Sequence, residues 1–448
     1  MLKVVVIGCA GTGGPCSMML KKLDPSVDLT LIREEENFLT RCAIPYIVAG
    51  DATVEASVKD DDRFTKVGTK LVDVKAVKVD REAKIVTTAD GGSYPYDKLV
   101  LATGGIPVKP PIPGADLGGV FTVRTSRDAV NILNHLKKKG DRGVVVIGAG
   151  AIGLEMASLI AREGYRTTVV EAVDHILAVS FDHGMAQEIE EYLESRGIDL
   201  KLSVMADEFL GTGDVEGVRL SDGTRIDAGT VILSVGVRAN IELARDCGLE
   251  IGRFGVKVNK YLQTSDPEIY AGGDLIEYEN LVTGEVMPGQ IRPNAVIGGR
   301  IIAKNILGYK IEFPPLLNNF TTKLLDKSFA GVGLTEQAAK AAGIDIAVGK
   351  FTTTSKHSMM GGKKPYTLKL IFDKRTKRVI GGQIVSDTSS MIKVIDAVAV
   401  AIRCGLTALD LMTFRAASQP ELSPEPSAEP ISMAAEAVFT ELYPLDTL

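Results

Sequence analysis

The chain has 448 residues, 45% hydrophobic and 24% charged, and its 51 Lys and Arg against 57 Asp and Glu leave a formal charge of −6. At roughly 150 residues per domain this is a protein of two or three domains, and its composition excludes a disordered chain, a collagen and a disulfide-stapled mini-protein. The mild negative charge offers nothing to nucleic acid or an anionic membrane, and five cysteines without paired spacing predict free thiols in a reducing cytoplasm.

Residues 2–7 are a β-branched run that leaves no room for a signal peptide. A glycine turn, a helix over about 13–23 and a strand over 29–33 follow. Residues 69–97 alternate and contain the Gly91-Gly92 turn, which predicts an inserted β-meander. Pro107, Pro110, Pro111 and Pro113 make a stiff connector. A second strand–turn–helix unit begins near 114 and runs to 237. In it Met185, Ile189, Tyr192 and Leu193 share one helix face, with Glu188, Glu190, Glu191 and Glu194 outside. The most apolar window, 144–161, carries glycines and Glu155 and is not a membrane span. The chain then returns to the first unit until about 308. From about 313 the pattern changes: residues 366–385 read as a hairpin and 391–404 as a helix, which predicts a third, α+β domain. The prolines at 420, 424, 426 and 430 predict a non-helical loop.

The chain repeats itself. LKVVVIGCAGTGG near the start is echoed by RGVVVIGAGAIGL at 142–154, and YDKLVLATGG at 96–105 by DAGTVILSVG at 227–236. Two nucleotide-binding units in tandem account for both echoes. In the second, Gly148 permits the tight turn, Gly150 admits a pyrophosphate to the backbone and Gly153 lets helix and strand pack closely. Ala151 and Ile152 open the helix whose N-terminus attracts the anion. Glu171 ends the next strand, where a carboxylate binds the ribose 2′-hydroxyl and repels a 2′-phosphate, so NADH is favoured over NADPH. Gly236 closes the second echo and is expected among the NADH-binding residues.

The first copy reads Gly8, Cys9, Ala10, Gly11, Thr12, Gly13, with Ala10 at the middle glycine and Gly14 adding freedom. Its strand ends at Arg33, followed by Glu34, Glu35 and Glu36. Glu34 is the chosen ribose contact, although the acidic run also fits a solvated helix cap. Ala102, Thr103 and Gly104 follow the echoing strand. In YAGGD, Gly273 allows close passage and Asp274 accepts from a ribityl hydroxyl, which makes FAD the expected ligand. There is no C-x-x-C, and four scattered histidines make no metal site; His357 reads as a surface residue.

Taken together, these residues resemble the pyridine nucleotide-disulfide oxidoreductase superfamily, in the order FAD turn, LATGGIPVKPPIPG, NAD turn, VGVRAN, YAGGD and a carboxy-terminal dimerisation domain. The resemblance spans essentially the whole chain. It implies a glutathione reductase-like α/β fold of two Rossmann-like dinucleotide-binding domains plus an α+β dimerisation domain. The implied limits are 1–113 with 238–312 for FAD, 114–237 for NAD(H) and 313–448 for a homodimer contact. RCAIPYIVAGD resembles the single-cysteine branch of coenzyme A disulfide reductases, persulfide or sulfur reductases and NADH oxidases, so Cys42 matches the redox cysteine. Glu155 resembles the family glutamate beside the nicotinamide. Arg41, where the branch has Asn, and a following helix would favour the Cys42 thiolate. Ile47 stands five residues after Cys42, where the two-cysteine reductases carry their second cysteine.

Other positions depart from the coenzyme A disulfide reductases. Met359 and Met360 replace one Tyr place and Ser418 the other. Met18 and Met19 stand where such reductases carry polar or basic residues, although Lys21 and Lys22 follow. Cys9 reads as packing, Cys16 as core or a second thiol near the substrate, and Cys247 and Cys404 as inert. The resemblance implies NADH-dependent reduction of a small disulfide, persulfide or polysulfide through FAD and Cys42. Two readings stand beside it: an oxidase reducing O2 with Cys42 cycling through sulfenic acid, and a diaphorase-like donor or NADH-sensing flavoprotein without thiol chemistry.

Overall fold

The β-branched runs become the centres of two parallel sheets that share the order of four strands and differ in the edge strand, which comes last in the chain in one and first in the other. A computed structural model describes residues 1–35 and 38–445. In the first sheet the order is Ile269–Ala271, Lys98–Leu101, Lys3–Ile7, Asp28–Ile32, Thr69–Val72, with every pairing parallel. In the second it is Val120–Thr122, Thr230–Leu233, Val144–Ile147, Thr167–Val170, Asp199–Lys201, again all parallel. Strands covered on both faces need continuous apolar runs. Val4, Val6, Leu31 and Leu99 in one sheet, and Val145, Val146, Val169 and Val231 in the other, are accordingly buried. The echo strands lie beside the turn strands in both: Leu101 pairs with Ile7 and Leu233 with Ile147.

The carboxy-terminal sheet is antiparallel, in the order Phe320–Leu324, Lys327–Gly333, Val379–Ser386, Pro365–Asp373, Ile346–Thr354. Its hairpin spans the residues expected. The helix beside it is Val394–Cys404, three residues shorter at its start than expected, and it ends on Gly405 in the left-handed conformation (φ +67°) that terminates helices. The fold is thus two Rossmann-like sheets with a separate α+β domain.

Two expectations need correction. Thr69–Val72 is not part of the meander, which is Ala76–Asp80, Ile85–Thr88 and Ser93–Pro95. It pairs in parallel with Asp28–Ile32 instead, a distant partner that local alternation does not reveal. The proline-rich segment is also not wholly loop. Pro426–Ala428 makes a single tight turn and Pro430 opens the helix Pro430–Glu436. Proline is favoured in a helix's first turn, where its missing N–H would have no partner anyway, and the Glu429 side chain accepts from Ser432 N at 2.7 Å.

The chain divides into two units. Met1–Val108, Val123–Val130 and Gly236–Leu316 form the first; Lys109–Thr122, Asn131–Val235 and the residues from Leu317 form the second. The second unit contains both the second parallel sheet and the carboxy-terminal sheet. Asp182, before the helix His183–Ser195, accepts there from Lys369 Nζ at 2.8 Å, Gln383 Nε2 at 2.7 Å and Glu336 N at 2.9 Å. Among the described residues no helix is long and apolar enough to cross a membrane, and no cluster of His, Cys, Asp and Glu is arranged to hold a metal ion.

Candidate active site

In the first unit the strand Lys3–Ile7 ends in a turn that only glycine permits. Gly8 has φ +101°, its N–H donates to Ile32 O at 2.8 Å, and a Cβ would lie 2.2 Å from Ala102 O. Gly13 opens the helix Gly13–Leu23 so close to the strand that a Cβ would fall 1.7 Å from Gly8 O. The helix Arg292–Ile306 closes the turn from outside: a Cβ on Gly11 would sit 2.9 Å from Ala295 Cβ, and one on Gly299 would sit 2.2 Å from Thr12 O.

Thr12 is buried, and its hydroxyl has no hydrogen-bond partner among the described residues. Gly273 (φ +75°) lies against it, since a Cβ there would be 2.5 Å from Thr12 Oγ1. A buried hydroxyl left unpaired is unfavourable, and a phosphate oxygen in this turn would satisfy it. That orphaned atom, with the glycine cradle, fits FAD.

Asp274 follows Gly273, and its Oδ2 is 3.2 Å from a guanidinium nitrogen of Arg124. Burial, followed by repulsion from Arg41, lowers the Arg124 pKa, while Asp274 opposes the shift. Arg41 donates to Arg124 O and to Glu35 Oε1, both at 2.6 Å. Its guanidinium is therefore committed to these partners. Thr103 Oγ1 donates to Asn240 O at 2.8 Å, and a Cβ on Gly104 (φ +70°) would lie 3.1 Å from Arg124. Arg124 and Ala295 escaped the sequence reading. The only local signal for Arg124 is VRTSRDA, in which Asp128 accepts from the backbone of Arg124 and Thr125.

Strand register sets which residues are equivalent at the two strand ends. Ile7 pairs with Ile32 and Ile147 with Val170, so the residue after each pair is Arg33 in one unit and Glu171 in the other. Arg33 is buried, paired to both Asp61 oxygens at 2.7 and 2.5 Å and to Asp73 at 2.6 Å. Glu34, the residue expected to bind ribose, is exposed and 3.6 Å from Lys75 Nζ. The two strands end in register, so Glu34 stands one residue beyond the position equivalent to Glu171. Glu36 lies outside the described residues.

In the second unit Gly148 also has φ +101°, with its N–H on Val170 O at 2.8 Å and a Cβ position 2.5 Å from Ser234 O. A Cβ on Gly153 would lie 2.1 Å from Gly148 O. At Gly150, among the described residues, nothing stands within 4 Å of the Cβ position. Ala151 and Ile152 begin the helix Ala151–Arg162, and Ile152 is exposed. Glu171 accepts from Ala149 N at 2.7 Å and Val173 N at 3.2 Å, which fixes its carboxylate against the turn. Glu155 is half-buried; burial raises its pKa and a hydrogen bond from Thr322 Oγ1 opposes the rise. Gly236 (φ +112°) opens the last segment of the first unit and is not part of the unit that holds this turn; its carbonyl accepts from Val108 N at 2.9 Å.

All five cysteines are free. Cys42 is exposed, in the one-turn helix Arg41–Ala43 that leads into Ile44–Val48. Cys9 is buried and its thiol is pushed up to about 11 by burial, with Arg33 opposing; burial raises Cys16 further. Burial also raises half-buried Cys247, and Cys404 is exposed in the second unit.

Residues 2–295 match the sequence family described as pyridine nucleotide-disulphide oxidoreductase, and residues 320–428 match its dimerisation domain. The chain belongs to the pyridine nucleotide-disulphide oxidoreductase family. A Methanocaldococcus jannaschii protein named NADH oxidase is 35% identical over 451 residues, covering 98% of this chain and 99% of that one. A Pyrococcus abyssi protein named NAD(P)H sulfur oxidoreductase (CoA-dependent) is 33% identical over 427 residues, covering 94% and 95%. The structure of a NAD-dependent persulfide reductase from A. fulgidus matches with a TM-score of 0.94 and 31% identity, over 98% of this chain and 83% of that one. These names differ in acceptor, so for this pyridine nucleotide-disulphide oxidoreductase the acceptor has to be argued from residues.

One basic residue of the first helix is committed elsewhere. Lys21 is buried and donates to Pro25 O at 2.9 Å and Val27 O at 2.7 Å, so it is no ligand for a phosphate outside. In the second unit the turn after Thr354 and the proline-rich segment hold each other. His357 N donates to Pro420 O at 2.9 Å and Lys356 pairs with Glu421 at 2.6 Å, while Met359 is exposed.

Proposed function

We propose that the chain is a FAD-containing, NADH-dependent reductase that cleaves the S–S bond of a small disulfide, persulfide or polysulfide through Cys42. The contrast among thiols of the first unit carries the reading: Cys42 alone is exposed there, whereas burial raises the pKa of Cys9, Cys16 and Cys247. A nucleophilic thiol needs access to its substrate. With buried Ile47 five residues on, the redox thiol works without an internal partner.

Gly8, Ala10, Gly11, Thr12, Gly13, Ala102, Thr103, Gly104, Gly273 and Asp274 would hold FAD, with Arg124 steadying Asp274. Gly148, Gly150, Ala151, Ile152, Gly153, Glu155 and Glu171 would hold NADH. The Glu171 carboxylate, fixed by two backbone N–H groups, supports NADH over NADPH. FAD, when bound, supplies the two-electron relay between pyridine nucleotide and sulfur. The Cys42 thiolate attacks one sulfur of the substrate; its S–S bond breaks, one thiolate leaves, and the other half stays bound to Cys42. Two electrons originating in NADH then cleave that second S–S bond, return the Cys42 thiolate and free the second thiol. Overall, RSSR′, NADH and H⁺ give RSH, R′SH and NAD⁺. Committed Lys21 and the exposed methionine at 359 support a small sulfur acceptor over coenzyme A disulfide. The chain acts as a homodimer through its carboxy-terminal domain, and its free thiols suit the cytoplasm.

The test is steady-state NADH oxidation with coenzyme A disulfide, glutathione disulfide, polysulfide, a quinone and O2. Polysulfide or disulfide turnover should disappear in Cys42→Ser while flavin content stays at the wild-type level; unchanged kcat in that variant overturns the thiol mechanism. The name of the M. jannaschii relative favours a second reading, in which O2 is the acceptor. Oxygen consumption matching NADH oxidation, at rates equal to sulfur turnover, selects it.

A further inference from the structure

We infer that Thr322, on the first strand of the dimerisation domain, is a positioning residue for the nicotinamide end of the NADH site: its hydroxyl holds one oxygen of Glu155 and leaves the other to accept from the carboxamide. This rests on the NADH reading of the second turn.

Glu155 lies four residues after Ala151 and so shares its face of the helix Ala151–Arg162. The strand Phe320–Leu324 packs on that helix, and Thr322, buried, donates to Glu155 Oε1 across 167 residues of sequence. Strand pairing with Phe329 fixes the backbone from which the hydroxyl projects. No described residue donates to Glu155 Oε2, and that oxygen is open to solvent rather than buried. A half-buried carboxylate held by one neutral hydroxyl carries a desolvation cost that an apolar residue in its place would not. The arrangement makes sense if the second oxygen has a ligand.

No cation shares the work. The elements packed on this helix are Thr167–Val170, Phe320–Leu324 and Val144–Ile147. Their charged neighbours are Lys323, which is exposed, and Glu171 beyond the strand end; the helix's own Arg162 pairs with Glu163. The Glu155 carboxyl responds to burial first and to Thr322 second. The ionised form accepts from the carboxamide N–H₂, so nicotinamide affinity falls as pH drops through the Glu155 pKa. Loss of the Thr322 hydroxyl moves that fall to higher pH.

Holoenzyme with Thr322→Val, Thr322→Ser and Glu155→Gln is titrated calorimetrically with NAD⁺ and with ADP-ribose, which lacks the nicotinamide, from mildly acidic to neutral pH. Thr322→Val should lose roughly tenfold in NAD⁺ affinity, with its acid limb displaced upward and ADP-ribose binding unchanged. Thr322→Ser should restore both, and Glu155→Gln should abolish the pH dependence. Equal NAD⁺ affinity and pH profile in Thr322→Val and wild type overturn the inference, as does an equal loss for both ligands, which marks a merely structural contact. Wild-type holoenzyme that binds neither ligand overturns the NADH reading itself.

Discussion

The two glycine turns agree wherever backbone meets backbone and differ wherever a ligand would lie. Gly8 and Gly148 share φ +101° and a 2.8 Å bond to the neighbouring strand, and Gly13 and Gly153, each in the first turn of a helix, lie against the carbonyl of the turn's first glycine. Yet the middle position is Gly150, whose Cβ position is open, in one turn and Ala10, which already carries a methyl, in the other, and the strand-end acid Glu171 has Arg33 as its counterpart. Glycines of this motif therefore do two separable jobs. Some are demanded by the chain's own close packing, and one, Gly150, meets no described atom and is free to serve the proposed nucleotide.

The largest effects should come from breaking the shared part. Gly13→Ala and Gly153→Ala put a methyl 1.7 and 2.1 Å from a carbonyl oxygen, a backbone clash that costs about 3 kcal/mol or more. Melting temperature should drop in both, with flavin content lost in the first. Gly150→Ala meets no described atom and should melt like wild type while NAD⁺ affinity falls roughly tenfold by obstruction of the pyrophosphate. If Gly150→Ala melts as low as Gly153→Ala, the division of labour is wrong.

Those packing rules explain what could be read from the sequence. Strand, turn and helix are encoded within about a dozen residues, so both parallel sheets and their echoes are legible from local pattern. The fate of Thr69–Val72 depends on a partner around residue 30, and local alternation could not assign it to the parallel sheet. The acidic run at 34–36 draws the eye past Arg33, whose partners Asp61 and Asp73 lie far along the chain. Arg124 and Thr322 were invisible for the same reason: each acts on a residue more than a hundred positions away.

Intermediate effects separate the two strand ends. Glu171→Ala removes the acid that accepts from Ala149 N and Val173 N. NADH affinity should fall roughly tenfold and the preference over NADPH should collapse, as read from kcat/KM for each. Arg33→Met should act on stability instead. Asp61 and Asp73 are 40% and 51% exposed, so water compensates them and the loss should be only about 1–2 kcal/mol. Urea denaturation measures it. A larger effect on flavin affinity than on stability would mean that the Arg33 cluster touches the adenosine after all.

The smallest effect concerns an acid with no counterpart in the first turn, where Pro15 stands in place of Glu155 two residues after the helix-opening glycine. Burial raises the Glu155 pKa in the fold, so the folded protein holds that proton more tightly than the unfolded chain. The stabilising contribution is complete below the ordinary carboxylate range and is lost as pH rises through the folded value. At neutral pH the charged form is a small burden, and Glu155→Gln should melt higher by roughly 2 °C, with the gap closing in acid, where both side chains are neutral. A variant that melts lower than wild type at neutral pH would make Glu155 a structural residue. A higher melting temperature together with weaker NAD⁺ binding would show an acid kept at the second turn for its ligand and against the fold.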